Sequence, residues 1–268
     1  MPEGPECRKI GQELAHLISS KVIVEINIIS GRYARNPPTG LDAVRGILPI
    51  EVVGVGAHGK FLFWILKEEY SIWNTLGMTG NWSQVLTSHS RIHFKFAGGL
   101  ELFFNDQRNF GTLKFVRGKF QLLEKLKSLG PDMLAEDIAD EVFIRQLRQK
   151  STWTLAKVLM DQSVVAGIGN YIKADSLWLA RLSPHRKICD TLDEELSILN
   201  ACIKRVMRES FQNGGATIQS YKDVNGDTGN YGNKFLVYNR QQDPDGNEII
   251  RETTEDKRTT HWVPKVQL

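Results

Sequence analysis

The chain has 268 residues, 41% of them hydrophobic and 24% charged, and a net charge of +3. Its length predicts two domains, and its composition is that of a globular protein, excluding disordered and fibrous classes. The mild positive charge admits a nucleic-acid partner without requiring one.

Cys7, Cys189 and Cys202 lie far apart and make neither a metal-ligand spacing nor a disulfide framework. That usage predicts a reducing, intracellular setting, cytoplasm or nucleus. The longest apolar run, Phe61 to Leu66, is too short to cross a membrane. The acidic N-terminus has no signal-peptide core.

From Pro5 to about Ser20, the residues Ile10, Leu14, Leu17 and Ile18 fall at helical spacing and predict a first helix. From Lys21 to about Arg117 the pattern turns to strands. Val22–Ile26, Phe61–Ile65, Arg91–Phe96 and Leu100–Phe104 are rich in β-branched and aromatic residues, with glycine turns such as Ala97-Gly98-Gly99 between them. This predicts one helix packed on a β-sandwich.

Ser128-Leu129-Gly130-Pro131-Asp132 reads as a linker. Helices are then expected over Asp140–Arg148, Thr154–Asp161, Tyr171–Ala180 and Leu192–Gln212, the last stopped by Gly214-Gly215. After a polar stretch, short strands are expected near Lys234–Tyr238, Glu248–Arg251 and Thr259–Val263. The fold class expected is therefore α+β.

Two constellations carry chemistry. The chain opens Met1-Pro2-Glu3-Gly4-Pro5-Glu6. Removal of Met1 would leave Pro2 as a secondary amine with a carboxylate beside it. An amine can attack a sugar carbon and form an iminium, and a terminal amine has a reference pKa of only about 7.7–8.0. The same proline could simply open a helix, where its missing N–H is no loss.

The second constellation is Asp161-Gln162-Ser163-Val164-Val165-Ala166-Gly167-Ile168-Gly169-Asn170-Tyr171-Ile172. A helix ends, two glycines permit a tight turn, and a helix starts at Asn170. Free N–H groups at such a start bind anions. A plain helix–helix corner fits the pattern equally well.

Together, Pro2-Glu3-Gly4-Pro5-Glu6 and the Ala166–Tyr171 turn resemble the formamidopyrimidine-DNA glycosylase / endonuclease VIII family of base-excision repair enzymes. The resemblance covers essentially the whole chain. It implies an N-terminal catalytic β-sandwich domain over 1–127, a linker over 128–134 and a helix-two-turn-helix domain over 135–222. A lesion loop and finger occupy 223–268.

In that family Pro2 is the nucleophile, Glu3 assists ring opening, and Glu6 handles protons. Lys60, in His58-Gly59-Lys60-Phe61, contacts a phosphate, and Asn170, with Gly169 and Tyr171 around it, grips the DNA backbone. Asp175 stands at a family glutamate position and orients the terminal amine. By the same resemblance Met78 and Phe110 would be apolar wedges between base steps, with core packing as the alternative, and Arg108 would meet the orphaned base. Wedges of this kind cost a few kcal/mol of unstacking and hold the duplex kinked.

Val237-Tyr238-Asn239-Arg240 and Arg258-Thr259-Thr260 resemble the flanks of the family's zinc finger, but the four cysteines are missing. Asp245-Gly246-Asn247-Glu248 and Val263-Pro264-Lys265-Val266 stand in their places. Valines cannot bind zinc. The tail therefore resembles the zincless β-hairpin finger of certain vertebrate and viral endonuclease VIII-like enzymes, held by packing through Trp262 and Val263, with Arg258 clamping phosphates at its tip.

No metal and no cofactor is implied. The partner implied is double-stranded DNA carrying oxidised bases or abasic sites, met by a monomer with no membrane involvement. The Glu-Gly-Pro-Glu opening and the tail favour oxidised pyrimidines and hydantoins. Met78, Arg108 and Phe110 favour the purine branch, as does the stretch from Gly214 to Arg240, long enough for a lesion-capping loop, although its polar Lys222-Asp223-Val224-Asn225-Gly226-Asp227 fits a disordered segment equally well. A damaged-DNA binding module without catalysis is the reading from another class.

Overall fold

A computed structural model describes residues 2–217, 224 and 226–268. The chain divides into two compact units. The first comprises residues 1–127 and 214–230, the second 128–213 and 231–268. Against the expected segments, residues 214–230 return to the first unit, and residues 128–134 and 231–268 belong to the second.

The first unit opens with helix α1, Gly4–Ile18. Cys7, Ile10, Leu14 and Ile18 form its buried face. Gly11 lets the helix approach the sheet: a Cβ there would lie 3.1 Å from that of Ala57.

The strands follow as β1 (Val22–Ile28), β2 (Ile50–His58), β3 (Phe61–Leu66), β4 (Tyr70–Thr75), β5 (Gly80–Ser83), β6 (Ser90–Phe96), β7 (Glu101–Asp106) and β8 (Thr112–Arg117). A short helix α2 (Leu41–Arg45) precedes β2, and α3 (Lys119–Lys127) closes this stretch.

The strand order is β5-β7-β6-β1-β2-β3-β4-β8, with every pairing antiparallel. β1 pairs with β2 only at Val22–Glu51 and Ile23–Ile50, but with β6 along most of its length. The sheet folds at that seam. Trp64 of β3 consequently meets Trp82 of β5 at 4.9 Å and Phe94 of β6 at 5.2 Å, although their strands are not neighbours in the sheet. Such ring pairs add about 0.5–1.5 kcal/mol each beyond area burial. The result is the expected helix on a β-sandwich.

The second unit holds α4 (Asp140–Arg148), α5 (Leu155–Met160), α6 (Asn170–Leu179), α7 (Asp193–Gln212) and the hairpin β9 (Ile250–Thr253) and β10 (Thr259–Trp262). No helix among the described residues is long and apolar enough to cross a membrane.

Two expectations are corrected here. The 128–134 stretch is docked, not a free linker. Gly130 N–H donates to Gln162 O at 2.9 Å, Ala166 N–H donates to Pro131 O at 2.9 Å, and a Cβ at Gly130 would collide with Val164. Lys234–Tyr238 is not a strand. A 3-10 turn spans Tyr231–Lys234, and the next amides are claimed by a side chain described below.

The hairpin packs on α6 through Ala174, Trp178, Val237, Ile249 and Val263. Trp262, expected to share this packing, is not in that cluster: its ring lies edge-on to His185 at 5.2 Å and its indole N–H donates to Glu252.

Candidate active site

In the first unit, Pro2 is buried and Glu3 is 1% exposed. Glu3 is the N-cap of α1 and Pro5 lies in its first turn. The Glu3 N–H donates to Glu6 Oε2 at 2.6 Å, and the Glu3 carboxylate accepts the Glu6 N–H in return. This reciprocal box satisfies two otherwise orphaned helix donors and fixes the chain at Pro2.

Glu6 is fully buried, and its other oxygen accepts the Ala216 N–H at 2.7 Å. Gly215 makes that approach possible. Its φ is +86°, and a Cβ would lie 2.8 Å from Glu6 Oε1. Glu6 thus holds two backbone amides. That is a positioning geometry.

An isolated antiparallel bridge pairs Ala216 with Asn230. Of the expected lesion-capping loop, Lys222, Asp223 and Asn225 lie outside the described residues.

Lys60 sits in the two-residue turn joining β2 to β3, set by the His58–Phe61 pair and by Gly59 at φ +54°. Glycine at the first position of such a turn matches the twist of the hairpin.

Met78, Arg108 and Phe110 come from two loops and are brought together. An Arg108 guanidinium nitrogen lies 3.1 Å from Met78 Sδ, and the guanidinium carbon lies 4.9 Å from the Phe110 ring centroid. Phe110 is 54% exposed.

The joint between the loops is Asp106, which the sequence reading missed. Asp106 is 1% exposed. One oxygen accepts the Thr79 hydroxyl at 2.5 Å, and the other accepts the Gly111 N–H at 2.6 Å. Arg91 donates to its carbonyl at 2.8 Å. Its sequence signal was an aspartate ending an apolar strand before Gln107-Arg108-Asn109.

In the second unit, the turn from α5 to α6 is stitched by Gln162. Its Oε1 accepts the Gly167 N–H at 3.0 Å, and its Nε2 donates to Ile168 O at 3.0 Å. Gly167 has φ +99°, and Gly169 is the extended N-cap of α6. Asn170 begins the helix and donates from Nδ2 to Thr259 O at 2.8 Å.

Tyr171, expected among the DNA-binding residues of the turn, has its side chain in the core. Its hydroxyl pairs with Ser210 at 2.9 Å, and its ring lies 5.2 Å from Phe235 and 6.0 Å from Tyr231.

Asp175 is likewise fully buried. It accepts the N–H groups of Leu236 (3.1 Å), Val237 (3.0 Å) and Tyr238 (3.0 Å). It therefore ties down the segment expected to be a strand. Burial pushes its carboxyl up to about 6, against the three donors, which pull it down.

Arg258 is exposed in the turn between β9 and β10. Where the first metal cysteines would stand, Asp243 accepts the N–H groups of Asp245 (3.0 Å) and Asn247 (2.8 Å) and the Trp178 indole N–H (3.1 Å). Where the second pair would stand, the Val263 N–H donates to Gln267 Oε1 at 2.7 Å, and Gln267 Nε2 donates to Leu182 O at 2.8 Å. Among the described residues no group of three or more His, Cys, Asp or Glu could hold a metal ion.

Three segments match known domains in this order. Residues 1–113 match the formamidopyrimidine-DNA glycosylase N-terminal domain, 129–222 its H2TH domain and 226–268 its C-terminal domain. The formamidopyrimidine-DNA glycosylase of Thermus thermophilus is 32% identical over 273 residues, spanning 100% of this chain and 98% of that one. That of Shouchella clausii is 29% identical over 275 residues, spanning 100% and 99%.

The crystal structure of MutM (Fpg) from Thermus thermophilus superposes with a TM-score of 0.86 at 30% identity, covering 99% of this chain and 98% of that one. A Lactococcus lactis Fpg variant bound to Fapy-dG-containing DNA gives 0.88 at 26% identity, covering 99% of each chain. The wild-type Lactococcus lactis enzyme bound to oxidised-pyrimidine-containing DNA gives 0.87 at 26% identity, again covering 99% of each. The chain belongs to the formamidopyrimidine-DNA glycosylase family.

Proposed function

We propose that the protein is a bifunctional DNA glycosylase and abasic-site lyase of base-excision repair, acting on oxidised bases. The observation that carries this reading is the N-terminus. Pro2 directly precedes a helix whose first turn is locked by the Glu3–Glu6 box, so an amine freed by loss of Met1 has a fixed place beside a carboxylate.

In this reading the target nucleotide leaves the stack, as chemistry on a duplex base requires. The Pro2 nitrogen bonds to the sugar carbon that carries the base, and the carbon–base bond breaks, the base leaving with a proton. Glu3 protonates the ring oxygen as the ring opens, and an iminium results. The iminium acidifies the adjacent sugar position. Loss of that proton expels the 3′ phosphate, and a second elimination expels the 5′ phosphate.

Lys60, Asn170 and Arg258 hold phosphates. Arg258 offers the planar fork best suited to that task. Met78, Arg108 and Phe110 fill the gap left by the flipped nucleotide. The wedge cluster supports an oxidised purine, formamidopyrimidine or 8-oxoguanine, over the pyrimidines and hydantoins that the N-terminal motif and the tail favour. The names of the relatives support the same choice. Oxidised pyrimidines remain the second reading, because the Lactococcus lactis relative was crystallised on such DNA.

Borohydride trapping tests the chemistry. A covalent complex through Pro2 is expected on a lesion duplex, and an undiminished yield in Pro2→Gly carrying an N-terminal extension overturns the mechanism. Tight binding without trapping identifies the non-catalytic module. A nicking panel of formamidopyrimidine, 8-oxoguanine, thymine glycol, dihydrouracil and hydantoin duplexes decides the lesion. Faster cleavage of the pyrimidine set overturns the purine choice.

A further inference from the structure

Lys173 lies within α6 with its side chain 0% exposed, a location where a lysine needs compensation. Its Nζ donates to Asp256 Oδ2 at 2.5 Å and to Thr260 Oγ1 at 2.8 Å. Asp256 belongs to the turn between β9 and β10, yet its side chain is only 2% exposed.

The other Asp256 oxygen accepts the Thr254 hydroxyl and lies 3.4 Å from the Arg258 amide nitrogen, which donates to it. Thr254 and Thr260 share a hydrogen bond at 2.6 Å. The Thr254 N–H donates to the Arg258 carbonyl at 3.1 Å. Both backbone polar groups of Arg258 therefore end on this network, while its side chain faces solvent.

The flanking residues are anchored separately. Glu255 accepts the Thr154 hydroxyl at 2.9 Å and Lys157 Nζ at 2.7 Å at the start of α5. The Thr259 carbonyl is held by Asn170. Lys257, at φ +59°, lets the chain double back between the two anchors.

A buried ion pair is weak evidence of a contribution to stability. Such pairs add little net stability over apolar substitutes, and fixing one geometry is their best-attested use. Here the fixed geometry is the backbone that carries Arg258. We propose that the Lys173–Asp256 pair, with Thr254 and Thr260, is a positioning device that aims the Arg258 guanidinium at a DNA phosphate. The inference rests on the phosphate-holding role given to Arg258 above. A side chain launched from a stiff turn loses less freedom on binding, and misplacement by about 1 Å costs on the order of a hundredfold in rate.

A double-mutant cycle tests it. Single-turnover nicking of an abasic-site duplex is measured for the wild type, Asp256→Asn, Arg258→Ala and the double variant, with a melting temperature for each. Asp256→Asn is expected to slow nicking about tenfold or more alone, yet by less than about twofold once Arg258 is gone, because coupled residues are non-additive.

Thr260→Val keeps the ion pair and deletes one hydroxyl. It is carried through the same cycle, so a loss of fold in Asp256→Asn still leaves a readable variant, and the same coupling with Arg258 is expected. Equal losses with and without Arg258 overturn the inference and make the network structural only. If Arg258→Ala costs nothing, the phosphate-holding role itself falls and the inference with it. If Arg258→Ala is slow and the cycle is additive, only the inference falls.

Discussion

The side-chain amide of Asn170 donates to the Thr259 carbonyl at 2.8 Å, joining the first residue of α6 to the residue that follows Arg258. Two residues given phosphate contacts by resemblance are thus one bond apart in the framework. The tie explains why a two-stranded hairpin, marginal by itself in water, can present an arginine with precision.

Asn170→Ala should therefore do two things. It removes one hydrogen bond, a loss of about 0.5–1.5 kcal/mol in stability, read as a small drop in melting temperature. It should also weaken binding to an abasic-analogue duplex by about tenfold or more, since a direct contact and the seat of Arg258 are both disturbed. Titrations at two salt concentrations check this. An unchanged affinity would remove Asn170 from the interface.

Asp106 should matter for incision more than its distance from Pro2 in sequence suggests. Asp106→Ala leaves the Gly111 N–H and the part-buried Thr79 hydroxyl without their acceptor, at about 1–3 kcal/mol for the buried N–H left unsatisfied. The two loops then lose their joint, and Met78, Arg108 and Phe110 lose their shared geometry. Lesion excision should fall more than cleavage of a preformed abasic site, because only excision needs the base displaced. Comparable losses on both substrates would show Asp106 to be a general stability residue.

Much of this was legible in the sequence, and the exceptions share a cause. α4 and α7 follow from uninterrupted helical periodicity, and β3 and β6 from dense β-branched and aromatic runs. Phe235-Leu236-Val237-Tyr238 has the same composition as those strands and is not one, because Asp175, some sixty residues earlier, takes its amides. The α3 helix was hidden because Phe120 and Leu123 are exposed and break the expected amphipathic pattern. Pro2, Glu3 and Asn170 stand in local motifs and could be read. Lys173 and Asp256 could not, since a lysine in a helix and an aspartate in a turn signal nothing until folding closes the 83 positions that separate them.

Chelation should leave both stability and activity unchanged. The tail turns are held by Asp243 and Gln267 through backbone and indole donors, a set that owes nothing to thiolates. Elemental analysis should find no stoichiometric zinc, and incubation with a strong chelator should not slow nicking. Asp243→Ala should instead lower the melting temperature, because the amides of Asp245 and Asn247, the Asn247 side-chain amide and the Trp178 indole all lose their acceptor. One zinc per chain, or inactivation by chelator, would reverse this account of the hairpin.

The second unit should respond to pH through two groups of opposite sign. Burial, opposed by the amides of residues 236–238 and by Arg240, raises Asp175 from 3.8 to about 6. Between those values the folded state binds the extra proton, so this contribution to stability is full below 3.8 and is lost as pH rises through about 6. At 1.36 kcal/mol per pH unit the span is about 3 kcal/mol. Burial, together with Arg251 and Lys173, lowers His261 from 6.5 to about 4. There the unfolded state binds the proton first, so its contribution is full above 6.5 and is lost as pH falls through about 4. Melting temperatures from pH 4 to 7.5 should separate the two. The wild type should gain on Asp175→Asn as pH falls from 7 to 4, and should lose ground to His261→Gln over the same range. Parallel curves for Asp175→Asn and wild type would mean that the three amide donors offset burial, with the folded and unfolded titrations of Asp175 coinciding.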